Sequence, residues 1–356
     1  MKKCVLILYG GKSVEHEISI RSAVNVHSNL NEDLFDKISV GISKSGEWFL
    51  TTDIIENIES GIPVAPVPSK EGPFLMEISS RNSHSFDIVF PVLHGTDGED
   101  GSVQGIFKSY NVPLVGCSVL GSAVAMDKIV SKQLLEISGV GVADYLFFNK
   151  SEKEKHSYDF IIKKLGSPFM IKASSLGSSV GVYKVKNEVS FHEALAECFK
   201  YSDRVLLEEC ISGRELECGV VGNLEPFATE PGEIVLKKDY EFYTYEAKYK
   251  DEDAIDIVIP AKIHPDVGEK IKIDCIKAFK ALNCNDYARI DVFLVDDEKV
   301  IINEVNTIPG FTNVSMFPML CQNVGIGYEE LITKLLDLAW ERWNIENTFL
   351  TSYADA

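Results

Sequence analysis

Apolar residues along this chain fall into short continuous runs and helix-spaced stripes, and their alternation predicts a mixed α/β architecture. Val5 to Tyr9 is a continuous apolar run that ends in a glycine-bearing turn, Gly10 to Ser13, and a helix from about Glu15 to Leu30 follows. Ile38 to Ile42 and Asp87 to Pro91 read as further buried strands, and Pro113 to Val115 as a short one. Between them, Pro63, Pro66, Pro68 and Pro73 mark an ordered surface insertion rather than a linker, because strand-like sequence resumes beyond it.

The pattern changes after Val119. A helix is expected near 123–138, strands at 145–148 and 169–172, a Ser/Gly loop, and a strand at 182–185. A helix near 191–201 and a strand at 204–209 complete this part. From Ile211 the sequence is strand-rich up to a helix near 266–282. A closing amphipathic helix spans 328–343, with Leu331, Leu335 and Leu338 at helical spacing. Three units are expected: 1–118, 119–210 and 211–356.

Composition narrows the possibilities. The 356 residues exceed one ordinary domain. Lys and Arg number 35 against 54 Asp and Glu, a net charge of −19. A surface that acidic repels phosphate backbones and anionic lipid, so nucleic acid and membrane are disfavoured as partners. A few lysines focused in one cleft can still bind a nucleotide. No apolar run approaches the ~20 residues of a bilayer span, and the run from Cys4 to Tyr9 is too short for a secretory leader. The eight cysteines are scattered without a C-x-x-C pair, which argues against a disulfide framework or a zinc site. A cytoplasmic protein is expected.

The most informative segment is Ala288 to Val295, a polar turn at 296–299, then Val300 to Asn306. So short a connection predicts an antiparallel hairpin. If its turn centres between Asp297 and Glu298, Asp291 falls opposite Glu304 and Arg289 opposite Asn306, all on one face. Two opposed carboxylates repel unless a cation lies between them, and hard oxygen donors with an adjacent amide suit Mg²⁺. A solvent-facing polar hairpin is the alternative, and Phe293 and Ile302, placed on the same face, argue against full exposure.

The run Lys172-Ala173-Ser174-Ser175-Leu176-Gly177-Ser178-Ser179-Val180-Gly181 lets backbone N–H groups approach a phosphate, with Lys172 supplying charge. A plain hairpin turn is equally compatible. Gly11-Lys12-Ser13 is no P-loop, since Leu6 stands where the first glycine belongs. Two glycine-bearing turns, Gly10 to Ser19 and His94 to Gly101, follow strands where α/β sheets open onto ligands. Glu15 there either holds an ammonium or only favours the first helical turn, and His94, if protonated, could meet a carboxylate. The tyrosine-rich stretch Tyr240 to Tyr249 is either edge packing or a loop that closes over a site and inserts Lys248.

Taken in order, GGKSVEHEIS, HGTDGEDGS, MDK, KASSLGSSVGV, LEECISGRE, YEAKY, ARIDVF and NEVNTIPGFTNVS resemble the D-alanine–D-alanine ligase family of the ATP-grasp superfamily. They span nearly the whole chain. The resemblance implies a three-domain ATP-grasp fold with a Rossmann-like amino-terminal domain, and a ligase that joins two D-alanines through an acyl phosphate for peptidoglycan precursor synthesis. It implies that Lys128, Lys172, Ser178 and Lys248 contact ATP phosphates, Glu208, Glu209, Cys210 and Ile211 form the adenine hinge, and Glu215 holds the ribose. Asp291, Glu304 and Asn306 would bind two Mg²⁺ or Mn²⁺. Glu15 would anchor the first D-alanine's ammonium, with His94 near its carboxylate. Arg289 and the Gly310 N–H would stabilise the oxyanion. Lys248 and Ser315 would meet the second substrate's carboxylate, with Tyr249 linking Ser178 and Glu15.

By the same resemblance, retention of Tyr249 and an apolar Met316 favour D-alanine as second substrate over D-lactate or D-serine, and a homodimer is expected. The insertion at 54–82 and Cys210, where an aromatic residue is common, depart from the pattern. A D-serine or D-lactate ligase is the nearest alternative. A non-catalytic ATP-binding regulator is the alternative of another class, disfavoured because Asp291, Glu304, Lys128 and Lys172 are all present.

Overall fold

The computed structural model describes residues 2–177, 180–237 and 255–350, which form three sheets with helices against them. At the centre of the first sheet, Lys3–Gly10 pairs in parallel with Phe35–Ile42 on one side and Ile88–Val92 on the other. Both faces of such strands are covered, which is why Val5 to Tyr9 is an unbroken apolar run. Val5, Ile7 and Tyr9 share a core with Ala23 and Val26 of helix His16–Ser28 and with Leu331 and Leu335 of helix Tyr328–Glu346. Leu6 and Leu8 face the other way, against Val103 and Phe107 of Ser102–Ser109. The proline-bearing insertion extends this sheet: Ile62–Val67, Phe74–Glu77 and Ser83–Ser85 add antiparallel strands beyond Trp48–Thr51. The segment at 113–115 contributes a single bridge, Val89 to Leu114, instead of a strand.

The second sheet is antiparallel, in the order Val182–Val185, Phe169–Ala173, Arg204–Glu209, Tyr145–Asn149. Phe169, Ile171, Val205 and Leu207 join a core with helices Tyr158–Leu165 and Glu188–Cys198. Alternation along the strands leaves Met170, Lys172, Leu206 and Glu208 on the opposite face.

The third sheet runs Ile255–Val258, Gly232–Leu236, Arg214–Val221, Tyr287–Val295, Lys299–Asn306. Helix Pro265–Ala281 covers one face, packing Ile271, Cys275 and Phe279 against Ile290, Val292 and Ile302. The helix expected over 123–138 is in fact two, Val119–Met126 and Lys128–Ile137. Asp127 between them is extended, and its carboxylate accepts from the N–H groups of Ile129 and Val130 at 3.0 Å. It stops one helix and caps the next. Ala125 and Leu135 of this pair pack into the core of the third sheet.

The hairpin departs from expectation near its turn. Val295 pairs with Lys299, and both Asp296 and Asp297 have positive φ, so the turn lies earlier than the sequence spacing predicts. A bulge at Asn303 restores the expected register, with Asp291 opposite Glu304 and Arg289 opposite Asn306. The same bulge places Ile301, not Ile302, opposite Phe293; Ile302 lies in the helix-covered core. No helix among the described residues is long and apolar enough to cross a membrane.

Candidate active site

The second and third sheets face each other across a cleft of about 340 Å³. Among the described residues four lysines line it, Lys184 of the strand Val182–Val185 and three that cluster. Lys128 and Lys132 lie one turn apart on helix Lys128–Ile137, and Lys172 projects from the strand Phe169–Ala173. Between the last two sits Glu208: one oxygen pairs with Lys132 and the other with Lys172 at 2.6 Å. Burial alone would raise the Glu208 pKa, but the two ammonium groups pull it down to about 2. Burial likewise works against the charge on Lys172, and Glu208 overturns this so that its pKa rises. Lys128 is pushed down by burial, with Glu304 opposing. Its ammonium donates to the Leu176 carbonyl, which ties the Ser/Gly loop to the helix start.

The third sheet forms the opposite wall. Glu217, Asp291 and Glu304 lie side by side on three neighbouring strands, with Glu217 paired to Asp291 and Asp291 to Glu304. Arg289 answers this row of carboxylates. It donates to both Asp291 oxygens, at 2.7 and 2.8 Å, and its Nε lies 2.9 Å from Glu217. Burial disfavours its charge, but Asp291 and Glu217 hold it firmly protonated. The Asn306 amide donates to Asp291 at 3.1 Å. At one end of the cleft Cys210, Ile211 and Glu215 line the crossing between the sheets, and the Glu209 carboxylate accepts from the Asp144 N–H at 2.9 Å.

A second cavity of about 80 Å³ adjoins the first, sharing Lys128, Leu176, Gly177 and Glu304 with it. Glu15, His94, Glu99, Arg289, Asn306 and Gly310 line it. His94 is buried with both ring nitrogens engaged, Nδ1 with the Ile308 carbonyl at 2.9 Å and Nε2 with Ser22 at 3.0 Å. Burial lowers its pKa, although Glu15 opposes this. A neutral His94 therefore joins the first sheet to the 308–311 segment in place of presenting a cation. Glu99 spans the same junction, accepting from Gly95 N–H at 2.9 Å and Ile308 N–H at 3.0 Å. Burial first, and then Glu15, push its pKa up to about 8. Gly95 has φ +74°, and a Cβ there would lie 2.5 Å from Ser13 Oγ and 3.0 Å from Glu15, so only glycine fits.

Two expected residues lie apart from these cavities. Ser315 opens helix Met316–Asn323 and accepts from the Thr312 N–H at 3.0 Å beside Gly310, while Met316 is buried with Ile234 and Leu320. Neither lines the two cavities. Ser178, Lys248 and Tyr249 lie outside the described residues. Four residues at the site were not singled out from the sequence: Lys132, Glu217, Glu99 and Asn303. Lys132 follows Lys128 by one helical turn and Glu217 follows Glu215 by one strand period, so periodicity was the available signal. Asn303 reaches Lys172, at 3.4 Å, only because it bulges.

Two sheets that clamp a lysine-lined cleft, beside a parallel-centred α/β sheet, define an ATP-grasp fold. The family models for the D-ala D-ala ligase N-terminus and C-terminus match residues 4–117 and 134–337. The D-alanine–D-alanine ligase of Oceanobacillus iheyensis is 42% identical over 368 residues, covering 100% of both chains. D-alanine–D-alanine ligase A of Escherichia coli K12 is 40% identical, covering 97% of this chain and 98% of its own. Among solved structures, the D-alanine–D-alanine ligase of Coxiella burnetii superposes with a TM-score of 0.86 at 33% identity, over 98% of this chain and 96% of its own. The VanG D-Ala:D-Ser ligase of Enterococcus faecalis gives 0.85 at 33%, over 95% and 100%. The chain belongs to the D-alanine–D-alanine ligase family.

Proposed function

We propose that this enzyme joins two D-alanines into D-alanyl-D-alanine at the expense of ATP, as a cytoplasmic, homodimeric supplier of peptidoglycan precursor. The observation that carries the reading is the adjoining pair of cavities. The larger is lined by lysines and suits a nucleotide; the smaller, about 80 Å³ with Glu15 and Arg289 in it, suits a small amino acid. In this reading the units 1–118, 119–210 and 211–356 are the substrate-binding, lid and catalytic parts.

Lys128 and Lys172 hold the ATP phosphates, with Ser178 and Lys248 beside them. The Glu208–Ile211 segment takes the adenine and Glu215 the ribose. Asp291, Glu304 and Asn306 fit a divalent cation, because two opposed carboxylates and an amide share one face as hard oxygen donors. Two Mg²⁺ or Mn²⁺ held there would draw charge from the transferring phosphoryl oxygens. Glu15 orients the first D-alanine by its ammonium, and His94 and Glu99 shape the wall beside it. The carboxylate of this first D-alanine attacks the γ-phosphorus; the bond to the β-phosphate oxygen breaks and ADP leaves, giving an acyl phosphate. The second D-alanine, with its amine deprotonated, attacks the acyl carbon. Arg289 and the Gly310 N–H stabilise the oxyanion before phosphate departs. Ser315 and Lys248 receive the second carboxylate, Met316 leaves no cation for a D-serine hydroxyl, and Tyr249 links Ser178 and Glu15.

ADP release with D-alanine alone, and with D-alanine plus D-serine or D-lactate, tests the proposal. Turnover with D-alanine alone is expected to match or exceed that of the mixtures. No turnover without D-serine or D-lactate would assign the alternative specificity, and no ADP under any condition would reject the ligase reading.

A further inference from the structure

The reaction just proposed leaves Lys132, the most deeply buried of the lysines lining the cleft among the described residues, without a role. Lys132 is almost completely enclosed, its ammonium paired with one Glu208 oxygen and lying 5.9 Å from the centre of the Tyr145 ring. Lys172 takes the other Glu208 oxygen at 2.6 Å. One carboxylate thus sits between two ammonium groups, and the cluster carries a net charge of +1. Without Lys132, Lys172 would be the one ammonium among the described residues in direct contact with this buried carboxylate. Its charge would be balanced by Glu208, and the pair would present no net charge to a phosphate.

We propose that Lys132 is a positioning residue for nucleotide binding, which shares Glu208 so that Lys172 keeps its positive charge and its reach toward the phosphates. The proposal rests on the reading of the larger cleft as a nucleotide site. A lysine that merely balanced Glu208 for stability would affect folding and leave nucleotide affinity alone.

The test uses the full chain and measures the Kd of Mg-ATP and of a non-hydrolysable ATP analogue by calorimetry, with the KM for ATP and for D-alanine alongside. A unit charge removed a few ångströms from a phosphate in a partly buried cleft weakens binding by about tenfold. Lys132→Met should raise the Kd and KM for nucleotide by about that factor and leave the KM for D-alanine within about twofold. Lys132→Arg should stay near the unsubstituted protein. The double variant Lys132→Met with Glu208→Gln returns the cluster to +1 and should recover most of the affinity. It also removes both buried charges together, so it remains foldable if the single variant does not. Unchanged affinity in Lys132→Met, a loss in Lys132→Arg equal to that in Lys132→Met, or a double variant no tighter than the single one or, where the single variant does not fold, about tenfold or more weaker than the unsubstituted protein would overturn the inference alone. Failure of the unsubstituted protein to bind nucleotide would overturn the reading of the cleft and the inference with it.

Discussion

Replacing Glu208 by Gln tests the electrostatics of the cleft independently of catalysis. The carboxylate holds Lys132 and Lys172 with its two oxygens, and its pKa falls from 4.5 to about 2 in the folded chain. A depression of that size corresponds to about 3 kcal/mol of stability at neutral pH. It agrees with the loss of about 3–5 kcal/mol expected when one partner of a buried ion pair is removed. Because the folded pKa is lowered, the contribution is fully present above pH 4.5 and is lost as pH falls from there toward 2. Urea unfolding of both proteins at pH 7, 5, 4 and 3.5 therefore should give a gap of about 3 kcal/mol that is flat down to pH 5 and narrows below 4.5. Equal stability at pH 7, or a gap that ignores pH, would refute the claim that the lysines depend on an ionised Glu208.

Further outcomes follow from the same geometry. Glu304→Ala should abolish ADP formation with an unchanged circular dichroism spectrum; turnover like that of the unsubstituted protein would remove Glu304 from the metal assignment. Gly95→Ala forces a side chain into Ser13 and Glu15 at positive φ, and should lower stability by about 1–3 kcal/mol and raise the KM for D-alanine, read by thermal melting and kinetics. Glu99, with its folded pKa raised to about 8, withdraws stability as pH climbs from 4.5 to 8. Glu99→Gln should flatten that slope in melts across pH 5–9, and an unchanged slope would rule out a protonated Glu99. Leu335→Ala opens a void beneath the first sheet and should cost about 2–5 kcal/mol in denaturant unfolding.

The buried strands and the hairpin register were legible in the sequence because their signals are local: apolar runs, period-two alternation and a short polar turn. The spacing predicts Asp291 facing Glu304, but the chain reaches that pairing through an earlier turn and a compensating bulge. The break at Asp127 was not read, since the apolar spacing continues smoothly through it and only the capping carboxylate separates two helices. The Asn303 bulge has no sequence signal in a run of strand formers. It nonetheless decides which of Ile301 and Ile302 faces the cleft. His94 and Glu99 read as polar residues of a glycine-rich turn, but their shared partner Ile308 stands some two hundred residues away, and no local pattern carries such a contact. Met316 follows a loop motif, yet its side chain is claimed by the core around Ile234 and Leu320.

The helix Tyr328–Glu346, packed on Val5, Ile7 and Tyr9, bears on how the protein is made. The strands of the first sheet leave the ribosome long before Leu331 and Leu335 exist, so one face of that sheet stays only partly covered while most of the chain is synthesised. Contacts between such distant segments are slow to close and leave apolar surface open to aggregation or chaperone capture in the interval. Vectorial synthesis would thus complete the second sheet, whose core is drawn from residues 146–207 alone, before the first. A nascent chain stalled short of 328 should be protease-resistant in its middle and sensitive at its start.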